Sequence, residues 1–163
     1  MGSEFNVKIV KRRRNRRTTE VRTEMEIHHQ HYVISDDKSR IDKELVLGFL
    51  SRSYWANKRP HERTVKAIET SYCLGVYDGD RQVGFARVVS DYATIYYICD
   101  VFVQEEHRGR GIGKRLVETI VSADMFQGMT GLLGTFDAHG LYEQYGFVRE
   151  PDRYLKRLPQ ARP

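Results

Sequence analysis

Residues 108–113 read Arg-Gly-Arg-Gly-Ile-Gly, between an apolar, strand-like run and an amphipathic, helix-like one. This segment limits the possible folds more than any other. Three glycines in five residues leave the main chain bare and open to left-handed backbone. A helix that starts directly behind them has unpaired N–H groups and the positive end of its dipole facing forward. Such a loop suits a phosphorylated ligand, and Arg108, Arg110 and Lys114 add formal positive charge. The plainer alternative is a glycine-rich turn that only caps a helix.

Three phosphate loops compete. The dinucleotide fingerprint G-x-G-x-x-G accepts Gly109 and Gly111 but meets Lys114 at its third position. The nucleoside-triphosphate loop G-x-x-x-x-G-K-[ST] accepts Gly113-Lys114. It fails at Arg115, where a magnesium-binding hydroxyl is needed, and at Arg108, where its first glycine belongs. The third pattern, [RQ]-x-x-G-x-[GA], fits as Arg108-x-x-Gly111-x-Gly113. The stretch from Val101 to Leu116 therefore resembles the acyl-coenzyme A pyrophosphate motif of the GNAT superfamily of N-acyltransferases. Ala138-His-Gly-Leu-Tyr-Glu-Gln-Tyr-Gly-Phe147 resembles that family's second signature. The two stand in the family's order, with room between them for one helix and one strand. The resemblance covers roughly residues 27–158.

The chain has 163 residues, enough for one domain with a sizeable core. No apolar run reaches membrane-spanning length, and no secretory signal is visible. The expected setting is cytoplasmic, without membrane or nucleic-acid partners. Cys73 and Cys99 lie in apolar runs and read as buried free thiols rather than nucleophiles. The formal charge of +5 is concentrated at one end. Residues 1–24 hold eight Lys/Arg and three Asp/Glu, which leaves 19 of each in 25–163 out of totals of 27 and 22. The run from Lys11 to Arg17 has the composition of a nucleic-acid patch or a localisation signal. Met1-Gly-Ser-Glu-Phe5, however, looks like a cloning-site remnant, and Met25 precedes the first periodic segment. Residues 1–24 are thus expected to be a disordered tag or leader, and 25–163 a single domain.

Hydrophobic periodicity predicts a strand over 26–34. Its His28, His29 and His31 lack further ligands at useful spacing, so no metal is expected. A helix capped by Asp42 carries Leu45, Val46, Phe49 and Leu50, and a second follows with Val65 and Ile68 inward. Strands are predicted at 72–77 and 82–89, joined by Asp78-Gly-Asp80. A third, at 94–103, reads as central and buried on both faces. After the glycine loop come a helix over 111–125, a strand at 131–136, a short helix at 139–145 and a last strand at 148–158, interrupted by Pro151. The order β-α-α-β-β-β-α-β-α-β implies an α/β fold: a mixed sheet with helices on both faces. By the resemblance, that sheet is splayed at its centre.

The resemblance also implies the chemistry. Acetyl-CoA, as cosubstrate and without a metal, is held by the backbone of Arg108, Gly109, Arg110, Gly111, Ile112, Gly113 and Lys114. Val101, Phe102 and Val103 pair with its pantetheine arm, and an N–H near Val101 polarises the thioester carbonyl. Tyr142 matches the family's tyrosine that faces the sulfur as general acid, or else is simply core. Tyr97 falls where some members carry a glutamate base, and a tyrosine is a poor substitute. Asp100 is the nearest carboxylate, either catalytic or fixing the splay of the strand. The segment between the first two helices helps form the acceptor pocket. Trp55 and Arg59 there suit an amine that also carries a carboxylate. The leading expectation is acetyl transfer to a primary amine of a small molecule, by direct attack in a ternary complex. A protein or peptide N-acetyltransferase and a non-catalytic acyl-CoA-binding module stand as alternatives. Whether the chain pairs as a homodimer is left open.

Overall fold

A computed structural model describes residues 7–14 and 21–159. Seven strands form one sheet in sequence order: β1 (Val7–Arg14), β2 (Val21–His29), β3 (Tyr32–Ser35), β4 (Tyr72–Asp78), β5 (Arg81–Ser90), β6 (Ile95–Val103) and β7 (Thr130–Leu133). Every neighbouring pair is antiparallel except β6 and β7, which run parallel. The helices are α1 (Lys43–Leu50), α2 (His61–Thr70), α3 (Ile112–Val121) and α4 (His139–Tyr142). None of the described helices is long and apolar enough to cross a membrane.

Two cores cover the two faces. On one, Ile112, Leu116, Val117 and Ile120 of α3 pack with Leu74, Val76, Val88, Tyr96 and Ile98. On the other, Val46, Phe49 and Leu50 of α1 and Ile68 of α2 pack with Cys73, Phe85 and Phe102. This is the expected α/β architecture, with helices on both faces. The predicted caps hold too: Asp42 accepts from the Leu45 N–H and opens α1, and Gly79 turns the β4–β5 hairpin at φ +58°.

The differences have physical causes. The expected first strand is a hairpin, β2–β3, turned at Gln30 with φ +56°. Residues 7–14 pair with 21–27, so part of the segment read as disordered belongs to the sheet. A basic sequence is compatible with this place, because an edge strand needs main-chain partners and not an apolar face. Residues 1–6 and 15–20 of that expectation lie outside the described residues. Met25, read as the start of the domain, sits within β2 and donates its N–H to Asp36 Oδ1 at 2.8 Å.

β6 is not buried on both faces. Tyr96, Ile98 and Phe102 are buried, whereas Ile95 and Tyr97 are exposed. The expected final strand at 148–158 is also absent. That segment is irregular, with a turn at 151–153, and exposes Val148, Tyr154 and Leu155. Pro151 removes a ladder donor where pairing would begin.

Candidate active site

β6 and β7 pair only from Ile95↔Thr130 to Ile98↔Leu133. β6 then continues for five more residues, to Val103, with no described strand on its β7 side. The sheet opens at that point, and Val101, Phe102 and Val103 line the opening. A bulge sets their direction. The β5–β6 register slips between Phe85 and Arg87, and Asp100 takes φ +52°. As a result Val101 and Val103 stand with the α3 core, while Phe102 stacks on Phe49 at 3.9 Å between centroids.

Asp100 is committed to holding this bulge. Its side chain is 1% exposed. It accepts from Arg59 Nη1 at 2.8 Å, Arg59 Nη2 at 3.1 Å and Arg87 Nε at 2.8 Å. Arg87 also donates to Ser71 Oγ at the end of α2. Burial works against the carboxylate, but the bonds and charges of the two arginines outweigh it and hold its pKa below the usual carboxylate range. Arg59, expected to face an acceptor carboxylate, is engaged by Asp100 instead, and that bond raises its pKa against desolvation. Arg87 was not anticipated, although a lone charge inside the apolar run 82–89 was the available signal.

The chain from β6 enters a 3-10 turn at Glu105–His107 and then the glycine loop. Gly109 and Gly111 take φ +74° and +78°, and Gly111 caps α3. The ends of Arg108 and Arg110 fold back onto the protein. Arg108 Nε donates to the Val103 carbonyl at 3.1 Å; Arg110 Nη1 donates to Tyr32 Oη at 2.9 Å and Nη2 to the Glu106 carbonyl at 3.2 Å. The Arg110 carbonyl in turn accepts from His29 Nε2 at 3.1 Å and Gln30 Nε2 at 3.4 Å. Tyr32 Oη hydrogen-bonds His107 Nδ1 at 3.0 Å. The two arginines therefore shape the loop, and the N–H groups ahead of Ile112, Gly113 and Lys114 are left to face a ligand. His29 serves as part of this support. The β2–β3 hairpin that provides it was not foreseen.

Tyr142 is buried on α4, edge-on to Phe147 at 6.0 Å. Desolvation pushes its phenol up to about 12, and Tyr54, Cys99 and Asp137 are within electrostatic reach of it. It is thus protonated at neutral pH. Tyr145, in the 3-10 turn after α4, donates to the Lys114 carbonyl at 3.0 Å and ties that turn to α3. Tyr97 is exposed at its edge but lies against Gly134, and partial desolvation of its phenol raises its pKa. Cys99 is a thiol outside any disulfide that burial pushes up to about 12, and Cys73 is buried, its thiol directed at the Ile68 and Ser71 carbonyls. Trp55 sits beside Tyr54 at the cleft mouth, where Tyr54 donates to Asp137 Oδ1 at 3.0 Å. Asp137 and its neighbour Phe136 were missed, although they follow the carboxyl end of a parallel strand, where α/β sheets bind ligands.

Bare amides at a helix start, beside the point where parallel pairing ends, are the arrangement that the resemblance implies for an acyl-CoA-dependent transferase. Comparison with known proteins agrees. The acetyltransferase (GNAT) domain profile matches residues 69–149. A crystal structure from Xanthomonas campestris pv. campestris, assigned to the GNAT family, is 41% identical, covers 81% of this chain and 96% of its own, and superposes with a TM-score of 0.76. The chain is 27% identical to GCN5-related N-acetyltransferase 2, chloroplastic, of Arabidopsis thaliana, over 74% of this chain and 55% of that protein. It thus spans about half the length of that relative. A protein from Clostridium acetobutylicum, crystallised with acetyl-CoA, shares the fold at 15% identity, with a TM-score of 0.58 over 78% of this chain and 94% of its own. The chain belongs to the GNAT acetyltransferases.

Proposed function

We propose that this enzyme moves an acetyl group from acetyl-CoA to a primary amine of a small molecule, by direct attack in a ternary complex. The observation that carries the reading is the end of β6–β7 pairing at Ile98–Leu133, directly before the bulge and the glycine loop. The diphosphate lies against the N–H groups from Gly109 to Lys114, because the Arg108 N–H is already bonded to the Glu105 carbonyl. The pantetheine arm enters the opening and pairs with Val101–Val103. The Val101 N–H donates to the thioester carbonyl oxygen as negative charge develops there, a contribution of about 3 kcal/mol for an aimed donor.

The amine nitrogen attacks the carbonyl carbon, the C–S bond breaks, and its electron pair goes to sulfur. Tyr142 donates its proton to that sulfur and regains one from the acceptor nitrogen through solvent. Its raised pKa keeps the phenol protonated at neutral pH, so it is present as a proton donor and not as a base. Asp100 is a positioning residue in this scheme, because its oxygens are occupied by Arg59 and Arg87. Tyr97, also with a raised pKa, is no base, so the acceptor proton leaves to water.

Calorimetry with acetyl-CoA, followed by a thiol-release screen over amines, amino acids and peptides, tests the reading. Micromolar affinity and turnover with small amines are expected. Absence of acetyl-CoA binding, or turnover with peptides alone, would refute it.

A further inference from the structure

The link between α1 and α2 reaches across the mouth of the opening. Tyr54 donates to Asp137 Oδ1 at 3.0 Å and accepts from the Phe136 N–H at 3.3 Å. Trp55 and Phe136 stand edge-on to the Tyr54 ring, at 4.9 and 6.2 Å between centroids. Yet all three rings remain open: Tyr54 is 55% exposed, Trp55 41% and Phe136 84%. A contiguous exposed aromatic patch marks a binding surface. This one is tied to the reaction centre, because Tyr54 and Asp137, with Cys99, are within electrostatic reach of Tyr142. Asp137 places a carboxylate in the patch, where it accepts from Tyr54. Arg59, the cation that would have met an acceptor carboxylate, is held by Asp100.

We infer that the acceptor is a primary amine carried on an aromatic or similarly flat apolar body that lacks a carboxylate. Its ring stacks among Tyr54, Trp55 and Phe136. Its ammonium form is drawn in by Asp137 and the ring faces before it loses a proton to solvent. An α-carboxylate beside the amine would meet the Asp137 carboxylate, while Arg59 stays held by Asp100. This inference rests on the acetyltransferase reading of the cleft and names its substrate class.

The test is thiol release at saturating acetyl-CoA with 2-phenylethylamine, phenylalanine, butylamine and spermidine. The kcat/KM for phenylethylamine should exceed those for phenylalanine and spermidine by about tenfold or more. Trp55→Ala should raise KM for phenylethylamine about tenfold and leave that for butylamine within about twofold. Tyr54→Phe keeps the ring and removes the tie to Asp137, and should raise KM for both monoamines. Preference for phenylalanine or spermidine, or a Trp55→Ala effect equal for all amines, would overturn the inference. So would acetyl-CoA binding by calorimetry with none of the amines acetylated. Failure to bind acetyl-CoA at all would instead overturn the cofactor reading, and this inference with it.

Discussion

Replacing Asp100 asks whether a doubly clamped carboxylate sets the strand geometry on which transfer depends. Its removal leaves Arg59 and Arg87 facing one another around a site that was 1% exposed. Truncating one member of a buried ion pair costs about 3–5 kcal/mol. Arg59 is 26% exposed and can turn partly to water, so Asp100→Ala should fall at the low end, about 3 kcal/mol. Asp100→Asn is the sharper perturbation. Asparagine keeps the shape and tolerates φ +52°, but it removes the charge and turns one accepting oxygen into an NH2 donor that faces an arginine. Losing at least one of the three charge-assisted bonds and weakening the rest should then cost about 2 kcal/mol. Urea unfolding, followed by the fluorescence of the single tryptophan, Trp55, reads this as a midpoint lowered by about 1 M. The folded Asp100 carboxyl has a depressed pKa, so its contribution is complete above the unfolded value of about 4 and is lost as pH falls below it. The gap between parent and Asp100→Asn should therefore shrink on acidification below about pH 4. Turnover of the folded variant should drop with the aim of the Val101 N–H. An Asp100→Asn enzyme of parental stability and kcat would refute the reasoning.

Tyr142→Phe should lower kcat by about 10²-fold, with acetyl-CoA affinity nearly unchanged, as single-turnover kinetics and calorimetry would record. Burial holds Cys99 near 12, so it should resist iodoacetamide at pH 8 in the native protein and react only after denaturation, as intact mass would show. Gly109→Ala and Gly111→Ala each force alanine into left-handed backbone, at about 1–2 kcal/mol. The Gly111 variant should melt lower of the two, because its new methyl would stand 3.3 Å from His29 Nε2, whereas the space at Gly109 is open.

The site was legible where chemistry and local pattern coincide. The glycine loop, the helix behind it, the Asp42 cap and the Gly79 hairpin follow from backbone preferences of the residues themselves. Tyr142 and the strand at 101–103 came from the two motifs. The bulge was not legible, because it requires knowing which β5 residue faces which β6 residue, and register is a long-range property. Once Arg87 stands opposite Cys99, Asp100 and Arg59 fall into place. The β2–β3 hairpin was hidden because its turn, Gln30-His31, carries neither glycine nor proline. The irregular 148–158 segment was misread because apolar residues alone do not make a strand without a partner for the ladder.

The bracing of the glycine loop by His29, Gln30, Tyr32 and His107 bears on the thermodynamics of cofactor capture. A loop whose main chain is fixed from behind during folding loses little freedom when a diphosphate arrives. In the proposed complex the entropic toll of association falls on the flexible pantetheine arm, and the heat-capacity signature of binding should report burial of that arm, not ordering of the protein.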